Sequence, residues 1–210
     1  MSAAIEPLEP TGYGAEVLPA HAAGTRSFGW WGMVWLIATE ATLFGILLSS
    51  YFYLRFRSGS VWPPSGISDP DLALPLVMSA ILWSSSIPVH LAARAIERDN
   101  RAGLRLGLAL GWVLGAAFLA LQLAVEYPGV LEEFTPRTNA YGSLFFTITG
   151  LHASHVFIGL AISAWVQVRA WRGAFGRWRH TTVQVFAMYW HFVDAVWLFV
   201  LLTIYVSPRL

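Results

Sequence analysis

The 210-residue chain contains no cysteine and no lysine; all 13 of its basic residues are arginine. Without cysteine there is no disulfide framework, no thiolate metal site and no cysteine nucleophile. Without lysine, a glycine-rich phosphate loop that ends in that residue is excluded. Charge of either sign is scarce: Asp, Glu, Lys and Arg make up 12% of the chain and the formal net charge is +1. No basic stripe with interleaved aromatics is left to grip nucleic acid. The stretch "SLFFTITG" carries hydroxyls but no nucleophile elbow. Residues 1–28 hold Glu6, Glu9, Glu16, Pro7, Pro10 and Pro19 and lack the basic start and apolar core of a secretory signal, so they read as a loosely ordered tail.

What remains is apolar. Hydrophobic residues make up 56% of the chain and the mean hydropathy is +0.56, too high for a soluble domain of this size. Five stretches, at about 30–54, 72–96, 103–126, 141–168 and 182–206, reach the ~20 residues that cross a hydrocarbon core of ~30 Å. Between them lie "RFRSGSVWPPSGISDP", "RDNRAG", "PGVLEEFTPRTN" and "WRGAFGRWRH", rich in turn formers and charge. The fold expected is all-α: residues 29–210 form a polytopic membrane bundle of five transmembrane helices.

Arginine gives an orientation. Arg26, the group Arg94, Arg98, Arg101 and Arg105, and the group Arg169, Arg172, Arg177 and Arg179 fall on one side; Arg55, Arg57, Arg137 and Arg209 fall on the other. By the positive-inside bias the N-terminus is cytoplasmic and the C-terminus outside. Trp30, Trp31, Trp171 and Trp178 sit near span ends, where an amphipathic ring anchors at the headgroups.

Span three opens "GLRLGLALGWVLG", which sets Gly103, Gly107, Gly111 and Gly115 four residues apart and so along one helix face. Such a face lets another backbone come close, as membrane helices require when no water is expelled between them. Glycine is also simply common in membrane helices.

Five ionisable residues fall at one depth. At 1.5 Å per residue, Glu40 lies roughly 15 Å into span one, and His191 and Asp194 lie roughly 13 and 18 Å into span five. His152 and His155 reach the same band from the opposite side. Ionisable side chains at this depth point into protein, because facing lipid is costly. Three uses are open: a self-satisfied network that sets helix register, a proton relay through Glu40, His and Asp, and a metal site built from "HASH", "HFVD" and Glu40. The network leads, because no Glu-x-x-His pair of the kind used by carboxylate-bridged metal bundles lies in a span. A haem ligand at His152 or His191 is a special case of the metal reading.

The blocks "IATEATLFGILLSSYF", "LQLAVEY", "YGSLFFTITGLHASHVFIGL" and "YWHFVDAVWLFV", in this order between about residues 29 and 206, resemble subunit III of the haem-copper respiratory oxidases, the cytochrome c oxidase subunit III family. The resemblance implies a chain with no catalytic residues, metal or redox cofactor of its own, beside haem and copper held in partner subunits. The partners it implies are oxidase subunit I in direct contact, subunit II in the same complex, membrane phospholipid and a respiratory supercomplex, with no nucleic acid. The location implied is the bacterial cell (inner) membrane, and the role is to stabilise the catalytic subunit and support proton uptake. By position Glu40 matches the family's intramembrane carboxylate. Gln122, Glu126 and Tyr127 match a structural helix end, and His152, His155, His191, Asp194 and Trp197 match the polar residues of the last two helices. His191 and Asp194 are thereby expected to lock span five against spans one and four. The family's longer form has seven helices, and the match begins at its third, as in five-helix bacterial members; a lipid or another subunit then fills the place of the missing pair. Quinol oxidases and nitric oxide reductases carry related chains, so the electron donor stays open, with cytochrome c favoured. An independent proton-coupled transporter is the reading from another class, and the lack of an internal repeat speaks against it.

Overall fold

The computed structural model describes residues 27–59, 62–64, 67, 71–177 and 179–209. The expected loose tail up to residue 26, with Arg26, and the interfacial Trp178 lie outside the described residues. Five helices, each long and apolar enough to cross a membrane, carry the fold: α1 (Phe28–Arg57), α2 (Ala73–Glu97), α3 (Arg101–Glu133), α4 (Ala140–Trp171) and α5 (Thr181–Arg209). No strand occurs among the described residues.

Local chemistry sets where the helices begin. Ser27 Oγ accepts from Trp30 N–H at 3.3 Å, Asn100 Oδ1 from Gly103 N–H at 2.8 Å and Asn139 Oδ1 from Gly142 N–H at 2.9 Å. Each satisfies one of the orphan donors of a first helical turn. Residues of positive φ follow three helix ends: Gly59 (φ 74°) after α1, Asp99 (φ 56°) between α2 and α3, and Gly173 (φ 75°) after α4.

Span three runs further than its composition suggests. "PGVLEE" was expected in a loop after residue 126, yet the helix continues to Glu133. Residues Gln122–Glu126 widen into a π turn, and Tyr127 N–H donates to Gln122 O five residues back. That shift starts a fresh α turn at Tyr127, and Pro128 stands in its first turn, where a missing N–H costs no bond.

Helices α2 and α3 run antiparallel, as their contacts show. Along α2 and α3, Gly103 meets Ala95, Gly107 meets Pro88 and Ala92, and Gly111 meets Val89. A β-carbon on Gly107 would lie 2.5 Å from Pro88 O and one on Gly111 2.5 Å from Val89 Cγ2, so the two backbones stand closer than any side chain would permit. Gly115 turns to α5 instead: its β-carbon would meet Trp190 Cη2 at 2.6 Å, and one on Gly159 of α4 would meet Trp190 Cζ3 at 2.8 Å. The Trp190 indole therefore lies in a slot made by two glycines of different helices. Helix α5 touches α1, α2 and α4 and is the centre of the bundle. At the end where α1 begins, Arg105 stacks on Trp171 at 4.8 Å and Arg169 on Trp165 at 4.9 Å.

Candidate functional site

Glu40 of α1 and His155 of α4 meet across the helix interface, Nε2 to Oε2, at 3.0 Å. The other ring nitrogen, Nδ1, stands 2.8 Å from Leu151 O, and a carbonyl only accepts, so Nδ1 carries its hydrogen. One proton is then shared across the Nε2···Oε2 contact, giving either imidazolium with carboxylate or neutral imidazole with carboxylic acid. Phe44 closes one side of the ring at 5.2 Å, and Tyr189 of α5 donates its hydroxyl to His155 O at 3.0 Å. Residues of three helices thus converge on His155, two of them on its ring.

His191 and Asp194 do not join that pair. Ser86 of α2 faces both: its Oγ lies 3.0 Å from His191 Nδ1 and donates to Asp194 Oδ2. A hydroxyl has one hydrogen to give, so His191 Nδ1–H donates to the serine while the serine donates to the carboxylate. The expected lock of α5 against α1 and α4 through these two residues is replaced by a lock against α2. Two more bonds extend the seam. Trp190 Nε1–H donates to Ser85 Oγ at 2.9 Å and Trp197 Nε1–H to Ser79 Oγ at 2.8 Å, while each serine hydroxyl passes its own hydrogen to a backbone carbonyl of α2. Sequence reading singled out Trp197 but missed Trp190, Ser79, Ser85 and Ser86. The run "WSSS" at 83–86, three hydroxyls inside an apolar span, was the available signal.

His152 stands alone. It is wholly buried, its ring 4.9 Å from Trp197 and edge-on to Phe118 at 5.8 Å, and neither nitrogen has a hydrogen-bond partner among the described residues. One turn earlier on α4, Thr149 gathers α3: Gln122 Nε2 donates to its carbonyl at 3.4 Å and Tyr127 Oη to its hydroxyl at 3.1 Å. Glu126, also buried, accepts from the Tyr205 hydroxyl of α5, another residue the sequence reading passed over. The five ionisable side chains placed at one depth are therefore divided into two pairs and a single histidine. Among the described residues no three His, Asp or Glu side chains converge as metal ligands do.

A sequence model of the family described as "Cytochrome c oxidase subunit III" matches residues 14–208. The chain belongs to the cytochrome c oxidase subunit III family. It is 32% identical over 197 residues to cytochrome c oxidase subunit 3 of Thermostichus vulcanus, covering 93% of this chain and 96% of that one. It is 36% identical over 184 residues to the Drosophila melanogaster protein of the same name, covering 83% of this chain and 68% of that one. A third relative, from Synechocystis sp., is 35% identical over 182 residues, covering 86% and 75%. As a subunit III family member with five helices able to span a membrane, the chain is a membrane component of a multi-subunit oxidase of the respiratory chain. The donors of this subunit III chain are a poor fit for haem or copper: His155 is engaged by Glu40 and Leu151, His191 by Ser86, and aromatic rings enclose His152.

Proposed function

We propose that the chain is the non-redox third subunit of a proton-pumping, haem-copper cytochrome c oxidase in a bacterial cell membrane, with its N-terminus in the cytoplasm. In this reading haem and copper sit in the partner subunits, and the chain packs on subunit I, steadies it and supports its proton uptake. The observation that carries the proton role is the Glu40–His155 contact: a carboxyl and an imidazole that share one proton inside a membrane helix pair can hold and pass it without an uncompensated charge. Phospholipid has a place to lie as well. An apolar groove of about 380 Å³ between α3 and α4, walled by Trp112, Ala116, Leu119, Phe157 and Leu160, has the apolar lining that suits an acyl chain.

Gentle purification from the native membrane tests the assembly: haem bands and a large catalytic subunit should come with the chain, and the bands should be lost when the chain is stripped away and recovered alone. For the proton role, Glu40→Gln in the assembled oxidase should slow proton uptake while the complex stays intact. Unchanged turnover and pumping across a pH series would remove Glu40 from the mechanism.

A further inference from the structure

Four buried side-chain atoms in one neighbourhood have no hydrogen-bond partner among the described residues: Gln122 Oε1, Glu126 Oε2, and Nδ1 and Nε2 of His152. Their contacts join them. Gln122 reaches Thr149, one turn of α4 from His152, and Trp197 lies 4.9 Å from His152 and 6.2 Å from Tyr205, which bonds Glu126. Both α3 (Gln122–Glu126) and α5 (Leu201–Val206) widen into π turns beside these residues, as helices often do at functional sites. Glu126 and Tyr205 also line, with Asp71 and Glu133, a cavity of about 270 Å³ at the end of the bundle where α2 begins.

An unpaired buried polar atom costs about 1–3 kcal/mol, and the neighbouring protein groups are already engaged. Trp197 N–H is given to Ser79, the Tyr205 hydroxyl to Glu126, the Thr149 hydroxyl to Phe145 O and the Gln122 amide to Thr149 O. A neutral imidazole needs one donor and one acceptor, a glutamine oxygen needs a donor, and a carboxyl oxygen needs either according to its protonation. The small molecule that offers both in so confined a site is water, which in buried positions makes about three such bonds.

We infer that ordered water fills this seam and links His152, by way of Gln122 and Glu126, to the cavity at Asp71 and Glu133. Because His155 follows His152 by one turn of α4, the seam ends beside the Glu40–His155 pair, and its other end opens where the proposed orientation places the outside of the cell. The seam itself is independent of the oxidase reading; only the side to which it opens rests on that reading.

Two fully buried tryptophans of α5 provide the test. Trp197 borders the unpartnered atoms, whereas Trp190 is packed between glycines and bonded to Ser85. A brief X-ray pulse on the intact purified complex in ¹⁸O-labelled water oxidises side chains beside bound water, and mass spectrometry reads the incorporated label. Trp197 and Tyr205 should take up label at least about threefold faster than Trp190, since only they adjoin sites that hold water. Equal labelling of the three would overturn the seam. His152→Phe, which removes both unpartnered nitrogens while keeping an aromatic ring, should bring Trp197 down to the level of Trp190; Gln122→Met is the second variant should the first not fold, and label at Trp197 unmoved by the variant that does fold also counts against the inference. The haem spectrum of the same sample reports on the oxidase reading separately.

Discussion

Helices α1 and α5 are nearly matched by composition and opposite in packing. Their most apolar 18-residue stretches have mean hydropathies of 1.6 and 1.8, yet 6% of the first is buried against 56% of the second. On α1 only Phe44 and Tyr51 are buried, while Trp35, Ile46 and Phe56 are 71%, 62% and 81% exposed. On α5, Trp190, Trp197 and Tyr205 are shut in almost completely. Apolarity places both helices in a membrane, but lipid solvates an apolar side chain as well as a neighbouring helix does, so apolarity does not choose partners. Shape and polar pairing choose them. Helix α5 has an indole that fits a two-glycine slot and polar links to α2 at Ser79, Ser85, Ser86 and Glu97; α1 has the Glu40–His155 pair, one hydroxyl contact between Tyr51 and Ser207, and a thin apolar contact.

The contrast can be broken most directly at tryptophan. Trp190→Ala empties the slot between Gly115 and Gly159 and should lower the unfolding free energy of the purified protein by about 3–5 kcal/mol. Trp35→Ala on the exposed face of α1 should change it by less than about 0.5 kcal/mol. Equal losses in a denaturant titration in detergent micelles would mean that α5 is not the centre of the bundle. A glycine pair comes next. Gly107→Ala forces a methyl against Pro88 O and should cost about 1–3 kcal/mol, whereas Gly45→Ala on α1, with nothing within 4 Å of the added carbon, should be neutral or slightly stabilising because alanine is the better helix former. Thermal melts of the two proteins separate the cases. Ser86→Ala, which takes the partner from Asp194 and His191 together, is expected to cost about 1–3 kcal/mol by leaving Asp194 without its donor; a melt within error of the parent would show that the α2–α5 seam is held by packing alone.

Part of this arrangement was legible in the sequence. Five apolar stretches gave five helices because span length and backbone satisfaction in a membrane leave little alternative. The four-residue spacing of Gly103, Gly107, Gly111 and Gly115 marked a face, since periodicity is a property of one helix. Which helix that face meets was not legible: Gly115 serves Trp190 of α5 rather than α2, through a contact between residues 75 positions apart. Depth was legible for Glu40, His152, His155, His191 and Asp194 because rise per residue is fixed; azimuth was not, and azimuth sends His191 and Asp194 to Ser86 and leaves His152 between rings. Pro128 misled in the other direction, since only the π turn before it shows why the helix does not stop.

The smallest expected effect bears on the helix with least support. Glu40→Gln keeps a hydrogen-bond donor opposite His155: with Nδ1–H given to Leu151 O, the neutral ring accepts at Nε2, and the glutamine amide can donate there. Interhelical hydrogen bonds in membranes average about 0.6 kcal/mol, so this substitution should cost less than that, while Glu40→Leu, which leaves Nε2 unpaired, should cost up to about 1.7 kcal/mol. Hydrogen–deuterium exchange resolves the two by location, with α1 amides exchanging faster in Glu40→Leu and at the parental rate in Glu40→Gln, and α5 unchanged in both. If α1 loosens equally in the two variants, the contact needs an ionised carboxylate and the pair is an ion pair. If only the leucine variant loosens, a neutral bond suffices to hold α1, and any loss of proton uptake in Glu40→Gln then comes from the missing proton carrier rather than from a displaced helix.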